Sequence, residues 1–415
     1  MKAAKRKSLN DGCQPSASSH SSQPRQKRKA PKEPAAPTRR SSRLRARMLP
    51  MASDKVEPSH PPPKEDPPPE EEAPKETIQD LQQTIYQLRE EMAVMRTLNH
   101  FINNNWATWA SGNFDQWPKL MSAIFFTANQ WSMRHGHVEI KALDRLTKEQ
   151  KSQLIASLDG YCLQEDYDSL LSRISPSVHE HVPYMLLTAY VNKFIVENIL
   201  GRPFGYMTTR PDPADRDESA LDNDTVLANE LHRLWGIFSK VDLGYAHVWR
   251  TITIRLANVI NFAQGRNVTF GTQMREHRKV ASKAFASSLL ADPILRLLLR
   301  EPNCPSEERR RMEGLCAQFE KAAQTATHIF SDHTLMEIHD LTYLAPRYHH
   351  ASPTVTASYL HDIDEKGGET TIDDHQVVIL TEPAIIGVPR WSGRSIWVGR
   401  KGLVLVEDLR DLTPT

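Results

Sequence analysis

From Thr77 to Ile102 the chain places Ile78, Leu81, Ile85, Leu88, Met92, Met95, Asn99 and Ile102 in alternating steps of three and four. That spacing predicts a helix whose stripe follows the a and d positions of a heptad, the seam along which two helices supercoil. With Ile78 at a, Glu91 falls at g and Arg96 at the following e, a pair able to bridge two parallel helices. Asn99 takes an a position, where a buried amide costs stability but favours one register and a two-stranded state. The same stripe would also serve a helix laid back onto the core of its own domain.

Beyond the seam, Trp106, Trp109, Phe114 and Trp117 cluster around Gly112, and helical signals then dominate to about residue 345. Pro118 suits a first helical position and opens an apolar run through Trp131. Thr147 with Gln150 three residues on makes a capping box, and Gly160 suits that helix's end. Pro183 opens a helix over 184–200 that is apolar on most faces, which predicts a place at the centre of the core. Further helices are expected over about 225–240, 245–264 (ended by Gly265) and 272–290, then a short one from Asp292-Pro293 and a longer one from Pro305 to Phe330. After Pro346 the chain loosens, and from Val377 the period changes to that of short strands: 377–380, 384–388, 395–398 and 403–407. Gly399-Arg400-Lys401-Gly402 has the composition of a tight hairpin connection. Trp391 and Trp397, with Arg390, Arg394, Arg400 and Lys401 nearby, suit either a stacking surface or the cover of the hairpin's apolar face.

Charge changes the picture N-terminal to the seam. The net charge is only +1, yet residues 1–50 hold 14 Lys and Arg against two acids, and residues 51–76 hold three Lys against eight acids. Half of the 28 prolines precede residue 75, so residues 1–76 read as a disordered basic tail passing into a stiff Pro/Glu-rich spacer. Lys27-Arg28-Lys29 and Arg39-Arg40 are separated by nine residues, a spacing that resembles a bipartite nuclear-import signal. The tail would also attract nucleic-acid phosphates non-specifically, since no aromatic residue is interleaved for base stacking. Met48 and Met51 offer alternative starts from which the basic tail would be absent.

Candidate chemistry is sparse. The four cysteines show neither CxxC nor regular spacing, which argues against a disulfide framework and a zinc module. No apolar run is long enough to span a bilayer, and the N-terminus lacks the apolar core of a secretory signal. The acidic loop around Asp215, Asp217 and Ser219 fails as a calcium loop, with Ala220 where glycine and Val226 where glutamate are needed. His339-Asp340 and His361-Asp362 resemble the dipeptide that supplies two metal ligands in helical HD phosphohydrolases, but the remaining ligands are not evident. The pairs His135/His137 and His179/His181 diverge if helical. Arg275, Arg278, Lys279 and Lys283, three and four residues apart, form a candidate partner surface on one helix face.

The fold expected is mainly α. It comprises a tail (1–76), a coiled-coil-like helix (77–102), an all-α helical bundle as the body (103–345), a loose linker (346–376) and a small C-terminal β-hairpin unit packed on the body (377–415). The functional expectation is a non-enzymatic nuclear interaction protein that self-associates through the short coiled coil. Its partners would be proteins, itself included as a dimer, and an import receptor, with no cofactor, catalytic residue or metal ligand assigned and no membrane association. The cytoplasm is the alternative location. The alternatives in activity are a helical metal-dependent hydrolase built on the late His/Asp residues and a non-specific nucleic-acid binder.

Overall fold

The computed structural model describes residues 75–104, 116–207, 221–331, 335–361, 372–388 and 397–408. Among these are eleven α-helices and, at the C-terminal end, two small sheets of three strands each. Helix α1 spans Lys75–Asn104, covering the predicted seam. The helices α2 (Gln116–His135), α3 (Lys141–Asp144), α4 (Lys148–Ser157) and α5 (Tyr167–Ser172) follow. The capping box of α4 is present in full. The Gln150 amide donates to Thr147 Oγ1 at 3.2 Å, and the Thr147 amide donates back to Gln150 Oε1 at 2.9 Å. Gly160 adopts φ +78°, and a Cβ there would lie 2.8 Å from Asp340 Oδ2, so both the turn and the close approach call for glycine.

Helix α6 (Val182–Ile195) is the centre of the body, as its apolar run predicts. Met185, Leu186, Leu187, Ala189, Val191 and Ile195 are all buried, and each large aliphatic side chain so placed stabilises the fold by about 1.5–3 kcal/mol. A π-helical turn, Val196–Leu200, ends it where Gly201 donates to Val196 O at 2.6 Å. Phe194 on α6 stacks on Phe319, with ring centroids 5.5 Å apart, and meets Phe285 edge-on at 6.1 Å. The buried amide of Asn192 donates to the Thr381 carbonyl at 2.7 Å and ties α6 to the strands.

Helices α7 (Leu221–Val241) and α8 (Leu243–Leu256) meet at Asp242, whose Oδ1 accepts from the Tyr245 amide at 2.8 Å. Helix α9 is Thr269–Ala291, α10 is Pro293–Leu298 and α11 is Pro305–Phe330. The helix expected over 245–264 ends eight residues early. Asn258 donates its side-chain amide to Ile254 O at 2.7 Å, and the chain turns back over the start of α9. That turn depends on Gly271, where a Cβ would lie 2.1 Å from Val259 O.

The strands correct the expected hairpin. They are β1 (Leu335–His339), β2 (Val355–Ala357), β3 (Val377–Glu382), β4 (Ala384–Val388), β5 (Trp397–Arg400) and β6 (Gly402–Val406). One sheet has the order β1-β4-β5 and the other β2-β6-β3, so β5 and β6, though adjacent in sequence, belong to different sheets. β5 pairs with β4, and Arg400 at its end reaches out of that sheet to buried Glu382 of β3, to Ser122 on α2 and over the Phe125 ring, so it links the first sheet to the second and to α2. Two strands fall where none was expected: β1 inside the stretch read as all-α, and β2 inside the stretch read as a loose linker. β3 is buried along its whole length, and its outer edge is covered by Tyr161–Leu163 through Leu380 N–H to Tyr161 O (2.8 Å) and Leu163 N–H to Val378 O (3.0 Å). Trp397 sits across from Gly387 and 6.4 Å from Trp117, covering the sheet rather than presenting a stacking face.

Candidate functional site

The import residues Lys27, Arg28, Lys29, Arg39 and Arg40 lie outside the described residues, as do Trp391, Arg390, Arg394 and the acidic loop at 215–220. In α1 the side chains of residues 78–93 are described, and every one is exposed. The seam residues Ile78, Leu81, Ile85, Leu88 and Met92 are 49–58% exposed, so this part of the stripe is not part of the chain's own core. The side chains of Met95, Asn99 and Ile102 are outside the described set.

The basic face expected on α9 divides. Arg275, Lys279 and Lys283 are exposed, and Arg275 and Lys279 flank Glu276 at 3.6 and 3.0 Å. Arg278 instead turns inward and is only 7% exposed. One guanidinium nitrogen donates to Asn258 Oδ1 and, at 3.1 Å, to Thr327 Oγ1, while the guanidinium lies 5.1 Å from the Tyr206 ring centre. Arg278, Asn258 and Thr327 line a cleft of about 220 Å³ between α9 and α11, together with Gln264, Arg275, Glu320, Gln324 and His328. Sequence reasoning missed it, although Met274, Arg278, Ser282 and Leu289 share one side of the helix and all are buried.

Of the His-Asp dipeptides, His339, Asp340 and His361 are described, and Asp362 lies outside the described residues. Asp340 Oδ1 accepts from the amide and hydroxyl of Thr342 at 2.9 and 2.5 Å, which fixes a turn. His339 stacks on Tyr343, 5.2 Å between centroids. His361 is buried, and its Nε2 accepts from the Val406 amide at 3.0 Å. Of the His-x-His pairs, His179 faces the Leu171 and Ile174 carbonyls while His181 meets the Tyr184 ring. His135 packs on Trp131 at 5.1 Å, and burial, assisted by Arg311 and Arg300, lowers its pKa to about 4. The Cys162 thiol is pushed up to about 12 by burial, the wrong direction for a nucleophile.

Among the described residues one group has metal-ligand character: His349, His350 and Asp373, whose donor atoms lie within 4.8 Å of one another. The His350 amide donates to Asp373 Oδ1 at 2.6 Å, and His350 Nδ1 lies 2.6 Å from Asp373 Oδ2. The two imidazoles stack with centroids 4.8 Å apart. Neither His350 nor Asp373 belongs to an His-Asp dipeptide. Among the described residues no helix is long and apolar enough to cross a membrane. The architecture is that of a mostly helical protein with small C-terminal sheets, and comparison with protein-family models, curated proteins and solved structures found no match.

Proposed function

We propose that the chain is a non-enzymatic nuclear interaction protein that pairs with a second copy of itself through α1. The observation that carries this reading is the run of half-exposed seam residues from Ile78 to Met92. Leaving such a stripe in water forgoes the burial that the rest of the chain obtains, and pairing with the same stripe on a second copy supplies it. The heptad register adds direction, because Glu91 and the following Arg96 bridge a parallel pair. The basic tail serves as the import address, and Arg275, Lys279 and Lys283 supply a charged docking face for a protein partner.

Sedimentation equilibrium of the full chain beside Leu81→Lys/Leu88→Lys tests the pairing. A dimer that becomes a monomer in the variant is expected, and a wild-type monomer at high micromolar concentration ends the reading. The address is tested by locating the tagged chain in cells, with and without alanine at Lys27, Arg28, Lys29, Arg39 and Arg40.

A second reading, a metal-dependent hydrolase, is favoured by His349, His350 and Asp373 rather than by the dipeptides. Three ligands would leave a coordination position open, as catalytic zinc sites do. Near-stoichiometric metal in the purified protein, lost in His350→Ala, would favour it over the first reading.

A further inference from the structure

We infer that the cleft between α9 and α11 is a binding site for a small oxyanion, a carboxylate or phosphate head group, recognised by Arg278. A guanidinium cannot deprotonate to escape burial, so a buried arginine is normally matched by a carboxylate. Among the described residues no carboxylate pairs with Arg278. Its partners are two neutral oxygens and the face of Tyr206. Both oxygens are held in place: Asn258 donates to Tyr206 Oη at 2.6 Å and to Ile254 O, and Thr327 donates to Ala323 O at 2.9 Å. Those contacts engage one terminal nitrogen of a fork that has five N–H donors, and the cleft lies at its side.

The lining suits such a guest. Arg275 adds a second cation at the rim, and Gln324 on the exposed rim offers its amide to the polar body of a small molecule. Glu320 also lines the cleft and opposes a high negative charge, so it limits the site to a small anion rather than a polyanion such as a nucleic-acid backbone. A volume of about 220 Å³ is that of a compact metabolite, below the range of drug-sized ligands.

Isothermal titration calorimetry of the full chain with inorganic phosphate, and separately with succinate, tests the site. Saturable binding of at least one probe is expected, and which one binds tells the phosphate head group from the carboxylate. Arg278→Gln should weaken it by about tenfold or more, the effect of removing a charge-assisted hydrogen-bond pair. If Arg278→Gln does not fold, Gln324→Glu on the exposed rim replaces it, with a loss of about two- to fivefold from added negative charge. No saturable heat with either probe overturns the site. So does unchanged affinity in Arg278→Gln, or in Gln324→Glu where that variant stands in for it.

Discussion

Helices α1 and α6 are both rich in aliphatic residues, yet they end in opposite surroundings. In α6 the apolar residues lie on most faces and every large one but the rim residues Tyr184, Tyr190 and Phe194 is buried. In α1 most of the aliphatic residues follow the a and d positions, with Val94 and Leu98 outside that stripe, and the described part of the stripe is half exposed. The difference teaches that apolar content alone does not assign a helix to the core. Apolar residues all round require burial inside the same chain, whereas a narrow a/d stripe can wait for a second chain.

The largest effect should come from truncating the centre of α6. Leu186 is fully buried, so Leu186→Ala removes transfer energy and leaves a cavity, at a cost of about 2–5 kcal/mol. Denaturant unfolding would measure it, and a loss under 1 kcal/mol by that measure would mean that α6 is not central. Next comes Asn192→Leu, which strips the Thr381 carbonyl of its donor in a buried setting and should cost about 1–3 kcal/mol. Retained stability there would show that α6 and β3 are joined by packing alone.

A smaller contrast is reached with acid. His135 ends α2 in the body's interior, where burial holds the imidazole neutral down to about pH 4, while in the unfolded chain it titrates near its ordinary value of 6.5. The unfolded state therefore binds the extra proton first, and stability falls as pH drops from about 6.5 to about 4, then levels. His135→Phe keeps the ring against Trp131 and should flatten that slope in a series of thermal melts. An unchanged slope would assign the acid sensitivity elsewhere.

How much of this the sequence disclosed follows the range of the interactions involved. Thr147, Gln150, Pro183 and Gly201 act on their own helix ends, and the sequence-based boundaries there stand. The strand pairing was not legible, because β2 pairs with β6 over three residues some 47 positions apart. Gly399 to Gly402 has a hairpin's composition, but Arg400 is drawn to Glu382 and Ser122, partners that no local pattern announces. Arg278 was read as part of a basic face because its spacing from Arg275 and Lys279 is helical. The buried set Met274, Arg278, Ser282 and Leu289 shows that the same spacing also places it on the inner side. His350 and Asp373 meet across 23 residues, so neither signals the other in sequence.

The smallest effect on folding is also the one that tests the comparison most sharply. Leu88 in α1 is about half exposed, at 53%, so Leu88→Ala should change the unfolding free energy of the dilute chain by no more than about 0.5 kcal/mol. Alanine is the better helix former, which offsets part of even that. At high protein concentration the result should differ. If α1 pairs with a second copy, the wild-type melting temperature rises with concentration by mass action, and Leu88→Ala loses that rise while matching wild type when dilute. A concentration-dependent gap between the two proteins separates a stripe waiting for its partner from a stripe that is simply solvated. Equal melting temperatures at every concentration would place α1 in the second class, and its likeness to a coiled-coil seam would then be a matter of pattern alone.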